Sequence, residues 1–426
     1  QAARARRPRR PVPRGPGSWA FLAQLARDPQ FVRRFTVAIS AWFAARPVGP
    51  GRSHAGRWEA FKAWAGDRIQ VWQLERRYGE QQQRRALDRR ATAAAVAWAA
   101  SPTSAAAASA WAAVQGELQA RLEAAARRRA TVAGVLWAGF GEQATAWFHR
   151  LAEQRGAACC VAQLEVPGPG GVGPPSLVSL AEEDGRAAAE ECIADFFDGD
   201  LPAGLFHPPT TDPVAQRELL DDIDRRLSPG EREACEGALG ADGVGDDELL
   251  AALKRCARGK VPGCDGLSFE FYQAFWGVLG GRLAAVFSEA LRQEGAAGLP
   301  PSMLMGVITL IYKGAKAGPR TRTASYRPIT LLNCDYKILA QALTMRFAPS
   351  LRSVIDDTQT AFIPGRWIGD NVLAHLEEID YVERTRQPGA IVFMDVEKAY
   401  DRTSRPWVLA CMREVGFGDV ALRWVA

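Results

Sequence analysis

Near the C-terminal end, Ile391-Val392-Phe393-Met394 run unbroken into Asp395, with a turn supplied just before by Pro388-Gly389. Four large apolar residues without a polar interruption read as a strand buried on both faces, not one with a wet side. Asp395 would then stand at the strand's end, where side chains emerge from a sheet and ligands bind. An ionised carboxylate in such a place is costly without a partner, so it points to a metal or a cationic substrate. The alternative is an Asp that caps the following helix or pairs with Lys398 or Arg402.

Length leaves room for roughly two or three domains and a large core. Charge says little about partners, because 53 Lys+Arg stand against 48 Asp+Glu, and their distribution matters more than their sum. The eight Cys and four His are scattered without the spacing of a zinc site or a secreted disulfide framework, which favours a reduced, intracellular setting. Arg4, Arg6, Arg7, Arg9, Arg10 and Arg14 alternate with Pro and Ala. That composition reads as a disordered tail, with phosphate contact or a nuclear address as the second reading. No stretch is expected to span a membrane.

From Ser18 to about Arg150 the pattern is helical. Asp28-Pro29 has the form of an N-cap and first-turn residue, and Phe31, Phe35, Ile39 and Trp42 follow on one face. A second helix carries Trp58, Phe61, Ala65, Ile69 and Trp72, and an Ala/Arg-rich section from Ala91 to Ala130 has Trp98 and Trp111 as packing anchors. This section reads as a spacer, with a basic helix face touching RNA as the other reading. Residues Cys159 to Val166 and Ser176 to Leu180 would pair as a hairpin around a Pro/Gly loop.

A tight turn at Gly259-Lys260-Val261-Pro262-Gly263-Cys264-Asp265-Gly266 leads into a helix opened by Ser268. The turn reads as rigid, with Asp265 capping that helix. Gly306 to Tyr312 and Ser325 to Leu332 read as two strands, joined by a basic loop carrying Lys316, Arg320 and Arg322. Such a hairpin suits gripping a triphosphate, since Lys is a point charge and Arg a planar fork for phosphate oxygens. Asp335 to Leu351 forms an amphipathic helix, and Gln359 to Arg366 is a turn into another helix over Ile368 to Arg384. Gly365 permits close backbone approach there, and Arg366 at a helix start suits a phosphate.

Six blocks, taken together and in order, resemble the reverse transcriptases of non-LTR (LINE-type) retrotransposons. They are Gly259 to Gly266, Leu310-Ile311-Tyr312-Lys313, Tyr326-Arg327-Pro328-Ile329, Asp335 to Ala340, Gln359 to Arg366 with Asp370-Asn371, and Phe393 to Arg402. The resemblance implies that Asp395 is a catalytic metal ligand with the Val396 carbonyl beside it. It implies that Tyr400 lies under the incoming sugar and excludes a 2′-hydroxyl, and that Lys313 and Arg327 contact the triphosphate. Gln359, Gly365 and Arg366 would lie near the template. Cys264 and Ala361 stand where the family usually has Pro and Gly.

The implied fold is α+β: a helical N-terminal linker region, then the fingers and partial palm of a right-hand polymerase. The expected divisions are a basic tail (1–17), a helical linker (18–150), a mixed connecting region (151–248), a helical pre-fingers segment (249–294) and the reverse transcriptase domain (295–426). The implied activity is RNA-directed DNA synthesis on an RNA template with a DNA primer and dNTP, without membrane or small-molecule cofactor, in a nuclear or ribonucleoprotein setting. Polymerisation in this family uses two Mg²⁺ ions about 3.5–4 Å apart, and one carboxylate cannot hold both. The Tyr/Phe-x-Asp-Asp block that supplies the others has no counterpart before Ala426, since Asp221-Asp222, Asp246-Asp247 and Asp356-Asp357 lack the aromatic. The expectation is therefore a truncated polymerase inactive by itself, the alternative being a non-catalytic nucleic-acid-binding remnant.

Overall fold

The computed structural model describes residues 19–49, 53–132, 161–167, 175–197, 212–241, 243–292, 298–314, 318–395 and 399–426. The basic tail expected over 1–17, together with Cys159, Cys160, Lys316 and Val396, lies outside them. The chain divides into two units, one of Gln1–Pro13 and Asp67–Gln163, the other of Arg14–Gly66 and Leu164–Ala426.

Helix α1 (Pro29–Ala44) starts where its sequence says it should. The Asp28 carboxylate accepts from the amides of Gln30 and Phe31 at 3.0 and 3.3 Å, and Pro29 opens the first turn. Helix α2 (His54–Ala100) has residues in both units, the division falling after Gly66. Beyond Gly66, α2 is joined to α3 (Ala105–Val132) through a break at Ser101-Pro102. Leu87 and Val114 are buried in that unit, while Trp98, expected as an anchor, is exposed. Arg90 grips Glu117 with two bonds of 3.0 Å, and Arg121 donates to the Glu80 carbonyl at 2.9 Å.

The larger unit continues through the paired strands β1 (Gln163–Val166) and β2 (Ser176–Ser179) and the helices α4 (Glu183–Phe197), α5 (Pro213–Asp221), α6 (Pro229–Ala241) and α7 (Asp246–Arg255). The long helix α8 (Phe269–Arg292) and the turn α9 (Pro301–Leu304) lead into an antiparallel hairpin, β3 (Gly306–Tyr312) and β4 (Tyr326–Leu332). Then come α10 (Cys334–Val354), α11 (Gly369–Thr385), α12 (Ala399–Arg402), α13 (Arg405–Glu414) and α14 (Asp419–Val425). The mixture is α+β and rich in helix.

Helix α8 is the core. Phe271, Tyr272, Phe275, Leu279, Leu283 and Phe287 are buried, each apolar side chain contributing about 1.5–3 kcal/mol by leaving water. Contrary to expectation, α8 is long and apolar enough to cross a membrane, but its apolar face is occupied within the unit. Phe31 and Phe35 meet Phe275 at ring distances of 6.0 and 5.3 Å, and Phe35 stacks on Trp64 at 5.7 Å. Residues 19–66 thus share a core with the motif-bearing part of the chain.

The apolar run before Asp395 does not form the buried strand expected of it. Residues 387–395 have no regular structure, and Ile391, Val392, Phe393 and Met394 are exposed. Among the described residues the sheets are the two hairpins β1-β2 and β3-β4, so this run has no strand to pair with. Helix α11 likewise has no buried residue.

Candidate functional site

The base of the β3-β4 hairpin rests on a buried charge cluster. Lys62, on the apolar face of α2 one turn after Trp58, sits with its ammonium 3.0 Å from Asp265 and 2.9 Å from Asp335, and all three side chains are buried. Trp58 Nε1 donates to the same Asp335 oxygen at 3.0 Å, and the Tyr336 amide to the other at 2.9 Å. The second Asp265 oxygen accepts from the Leu267 amide at 3.0 Å. Asp265 therefore holds the turn ahead of α8 and not the first turn of the helix that its sequence suggested it would cap, and it is also one arm of an ion triad.

Burial pushes the Asp265 carboxyl up to about 6, with the Asp335 charge acting the same way and Lys62 opposing both. Burial would also lower the Lys62 pKa, but Asp335 and Asp265 outweigh it and hold the ammonium above the ordinary lysine range. Two carboxylates against one ammonium leave an excess negative charge, which a proton on Asp265 removes. The fully buried Tyr272 hydroxyl is raised well above its ordinary value by burial, then by Asp335 and Asp265.

Asn333 locks this cluster to the hairpin. Its Oδ1 accepts from the Asp265 amide at 3.2 Å and its Nδ2 donates to the Ser302 carbonyl at 2.6 Å. The turn passes so close that a Cβ on Gly263 would lie 2.1 Å from Asn333 Oδ1 and 2.7 Å from the Leu332 carbonyl carbon. Only glycine allows that approach.

In the hairpin, Ile311 opposes Arg327 and Tyr312 opposes Tyr326, and the Lys313 amide donates to the Ser325 carbonyl at 3.0 Å. Alternation along a strand puts Lys313 on the face of Ile311 and Arg327. Both cations are exposed, with Lys313 Nζ resting 3.0 Å from the Ala324 carbonyl. The opposite face is stitched: the tyrosine hydroxyls donate to the carbonyls of Gly318 and Arg320 at 2.7 and 2.6 Å. Arg320 and Arg322, expected as loop cations, are already engaged. Arg320 lies 4.7 Å over the Tyr312 ring, and Arg322 donates to Glu165 at 3.0 Å. Glu165 also accepts from the Thr321 hydroxyl at 2.6 Å, and the two bonds hold its carboxyl below the usual range.

Gln359, Gly365 and Arg366 do come together in one loop. Arg366 differs from the phosphate contact expected of it: its side chain is 10% exposed and spends its donors on the loop itself. It reaches the carbonyls of Arg352 at 3.2 Å, Ile355 at 2.8 Å, Gln359 at 2.9 Å and Asp356, and the Asp357 carboxylate at 3.0 Å. A cation there satisfies carbonyls left open at the end of α10. Gln359 Nε2 donates to the Ala361 carbonyl at 3.0 Å, and Gly365 has φ +80. Asp395 and Tyr400 are both exposed, Tyr400 on the short α12. Among the described residues no group of three His, Cys, Asp or Glu could hold a metal ion.

Sequence reasoning passed over Lys62 and Asn333, and it gave Trp58 only a place on a helix face and Asp335 only a place in a helix and a block. The available signal was a lysine on an otherwise apolar helix face, between Trp58 and Ala65.

Residues 314–425 match the reverse transcriptase (RNA-dependent DNA polymerase) family. Over 214 residues it is 34% identical to the "Transposon TX1 uncharacterized 149 kDa protein" of Xenopus laevis, a match covering 50% of this chain and 15% of that protein. Over 196 residues it is 27% identical to the "Retrovirus-related Pol polyprotein from type-1 retrotransposable element R1" of Bradysia coprophila, covering 44% and 18%. Both relatives are named as transposon or retrotransposable-element proteins, and the chain spans less than a fifth of the length of each.

Proposed function

We propose that the larger unit supplies the fingers and the opening of the palm of an RNA-directed DNA polymerase of a non-LTR retroelement, adding dNTP to a DNA primer on an RNA template. The observation that carries this reading is the pair Lys313 and Arg327, exposed on one face of a hairpin whose base is fixed by a buried ion triad. A triphosphate needs cations held in register, and a stapled hairpin holds them with little entropy left to lose. Tyr400 would lie under the sugar, and Gln359 and Gly365 along the template. The basic run from Arg4 to Arg14 supports a nuclear or ribonucleoprotein setting.

Mg²⁺, when bound in such polymerases, activates the primer hydroxyl and stabilises the departing pyrophosphate. Asp395, with the Val396 carbonyl, would offer one carboxylate to it. That donor set does not fit a two-ion site, and no chemical step is assigned to it. Catalysis is proposed for a longer protein that brings further carboxylates.

The 426-residue protein is expected to bind a primed RNA template with an affinity that falls steeply with salt, through phosphate contacts. Arg327→Glu should weaken that binding, and no primer extension should occur with Mg²⁺. Extension by this chain would overturn its proposed dependence on further carboxylates. Binding insensitive to both salt and Arg327→Glu would overturn the fingers assignment.

A further inference from the structure

The loop between α10 and α11 is built more firmly than a connection requires. Besides the five acceptors of Arg366, Arg225 donates to the Ile355 carbonyl at 3.2 Å and to Asp356 at 3.0 Å. Asp356 in turn accepts from the Thr358 amide at 2.9 Å and hydroxyl at 2.8 Å, and the Gln359 amide donates to the Asp356 carbonyl at 3.1 Å. On this frame stands Phe362, with φ +63 and a side chain 89% exposed.

Both features oppose folding. A bulky residue in the left-handed region is strained where Gly or Asn would not be, and a ring this exposed contributes no burial. Nothing in the core uses it. Strain of this kind persists only where the surroundings over-determine it, and it clusters at sites that act on something outside the chain.

We infer that Phe362 is a stacking platform for a base of the template strand, an inference that rests on the polymerase reading above. The ring lies inside the segment matched to the RNA-dependent DNA polymerase family. The loop's two carboxylates are already matched, Asp356 by Arg225 and Asp357 by Arg366 at 3.0 Å each, and Arg352 adds an exposed cation beside Gly365. Phosphates therefore meet no uncompensated negative charge here. Trp367, 63% exposed, offers a second ring five residues on. Stacking is tolerant of sequence because every base has a π-face, which is what copying a template of any sequence demands. Arg366 thereby becomes a positioning residue: it holds the platform and does not touch the strand.

The test is binding of a single-stranded RNA oligonucleotide carrying 2-aminopurine, read by anisotropy and fluorescence quenching across a salt series. Phe362→Ala should lower affinity about 5- to 150-fold, the equivalent of losing one stacked base, and should abolish quenching. Phe362→Trp should keep both. The salt slope should not change in either, because the ring makes no ionic contact. Phe362→Asn, which relieves the backbone strain, should bind as poorly as Phe362→Ala while melting no lower than wild type, which separates lost stacking from lost folding. Wild-type affinity in Phe362→Ala with the salt slope intact would overturn the platform and leave the polymerase reading standing. Equal loss in Phe362→Trp and Phe362→Ala would also overturn it, marking a shape-specific apolar contact such as a protein partner makes. Failure of the wild-type chain to bind RNA at any salt would overturn both readings.

Discussion

Leu267 to Tyr272 and Ala390 to Asp395 are two short, strongly apolar stretches, each next to a carboxylate of a recognisable block, and they meet opposite fates. In the first, Leu267, Phe269, Phe271 and Tyr272 are buried, and Asp265 just before them is held between Lys62 and a main-chain amide. In the second, Ile391 to Met394 face solvent and so does Asp395. Apolar composition alone did not decide the outcome. The first stretch finds α1, α2 and α10 within its own unit, whereas the second has no strand among the described residues to pair with. Asp335 is buried and Asp265 nearly so, whereas Asp395, expected at the end of a buried strand, is open.

The contrast breaks most sharply at Lys62. Lys62→Met would leave two buried carboxylates without their cation, at a cost of about 3–5 kcal/mol, while Asp395→Asn should change stability by less than about 0.5 kcal/mol. Chemical denaturation of both variants checks this, and similar midpoints would erase the distinction. Gly263→Ala comes next. Its methyl would meet backbone atoms of Asn333 and Leu332, so destabilisation of about 1–3 kcal/mol is expected. Gly281→Ala, on an exposed and open side of α8, should instead stabilise by roughly 0.5–1 kcal/mol.

Acidity sharpens the comparison further. Asp265 moves from an ordinary 3.8 to about 6 on folding, so between those values the folded chain holds a proton that the unfolded chain has released. Its contribution is complete below pH 3.8 and is lost as pH rises through 6. Lys62 is raised too, so its contribution is intact at neutral pH and disappears only above the ordinary 10.5. The stability difference between wild type and Asp265→Asn should therefore shrink from pH 4 to pH 7, and a difference independent of pH would contradict the shift. The smallest effect is expected at Leu376→Ser and Met394→Ser. Both residues are exposed, so each should cost less than about 0.5 kcal/mol; a loss near that of a core leucine would mean that this segment is packed.

Local signals were legible in the sequence. The Asp28-Pro29 cap, the two strands of the hairpin at Gly306–Tyr312 and Tyr326–Leu332, and the helices at Cys334–Val354 and Gly369–Thr385 follow from capping, residue type and period. Long-range pairing was not. Lys62 and Asp265 are 203 positions apart, and Trp58 and Asp335 are 277 apart, so no window along the chain joins them. Lys62 could be flagged as a lysine on an apolar face, but its partners could not be named. Arg366 was ambiguous for a related reason: a cation at the edge of a helix serves a phosphate or the preceding helix's carbonyls equally well, and the contacts to residues 352–359 are not visible in a local window. The run before Asp395 has the composition of a buried strand, but composition cannot supply the neighbour that a strand requires.

Amide hydrogen exchange on the 426-residue chain tests the division between the two stretches most directly. Amides of α8 from Tyr272 to Phe287 and of α10 near Ile338 and Leu339 should exchange slowly, close to the rate set by global unfolding, while those of residues 391–395 should exchange at nearly the rate of an open chain. Protection of 391–395 comparable to that of α8 would show that this segment is a packed strand after all, and would contradict the contrast between an anchored hairpin base and an open Asp395.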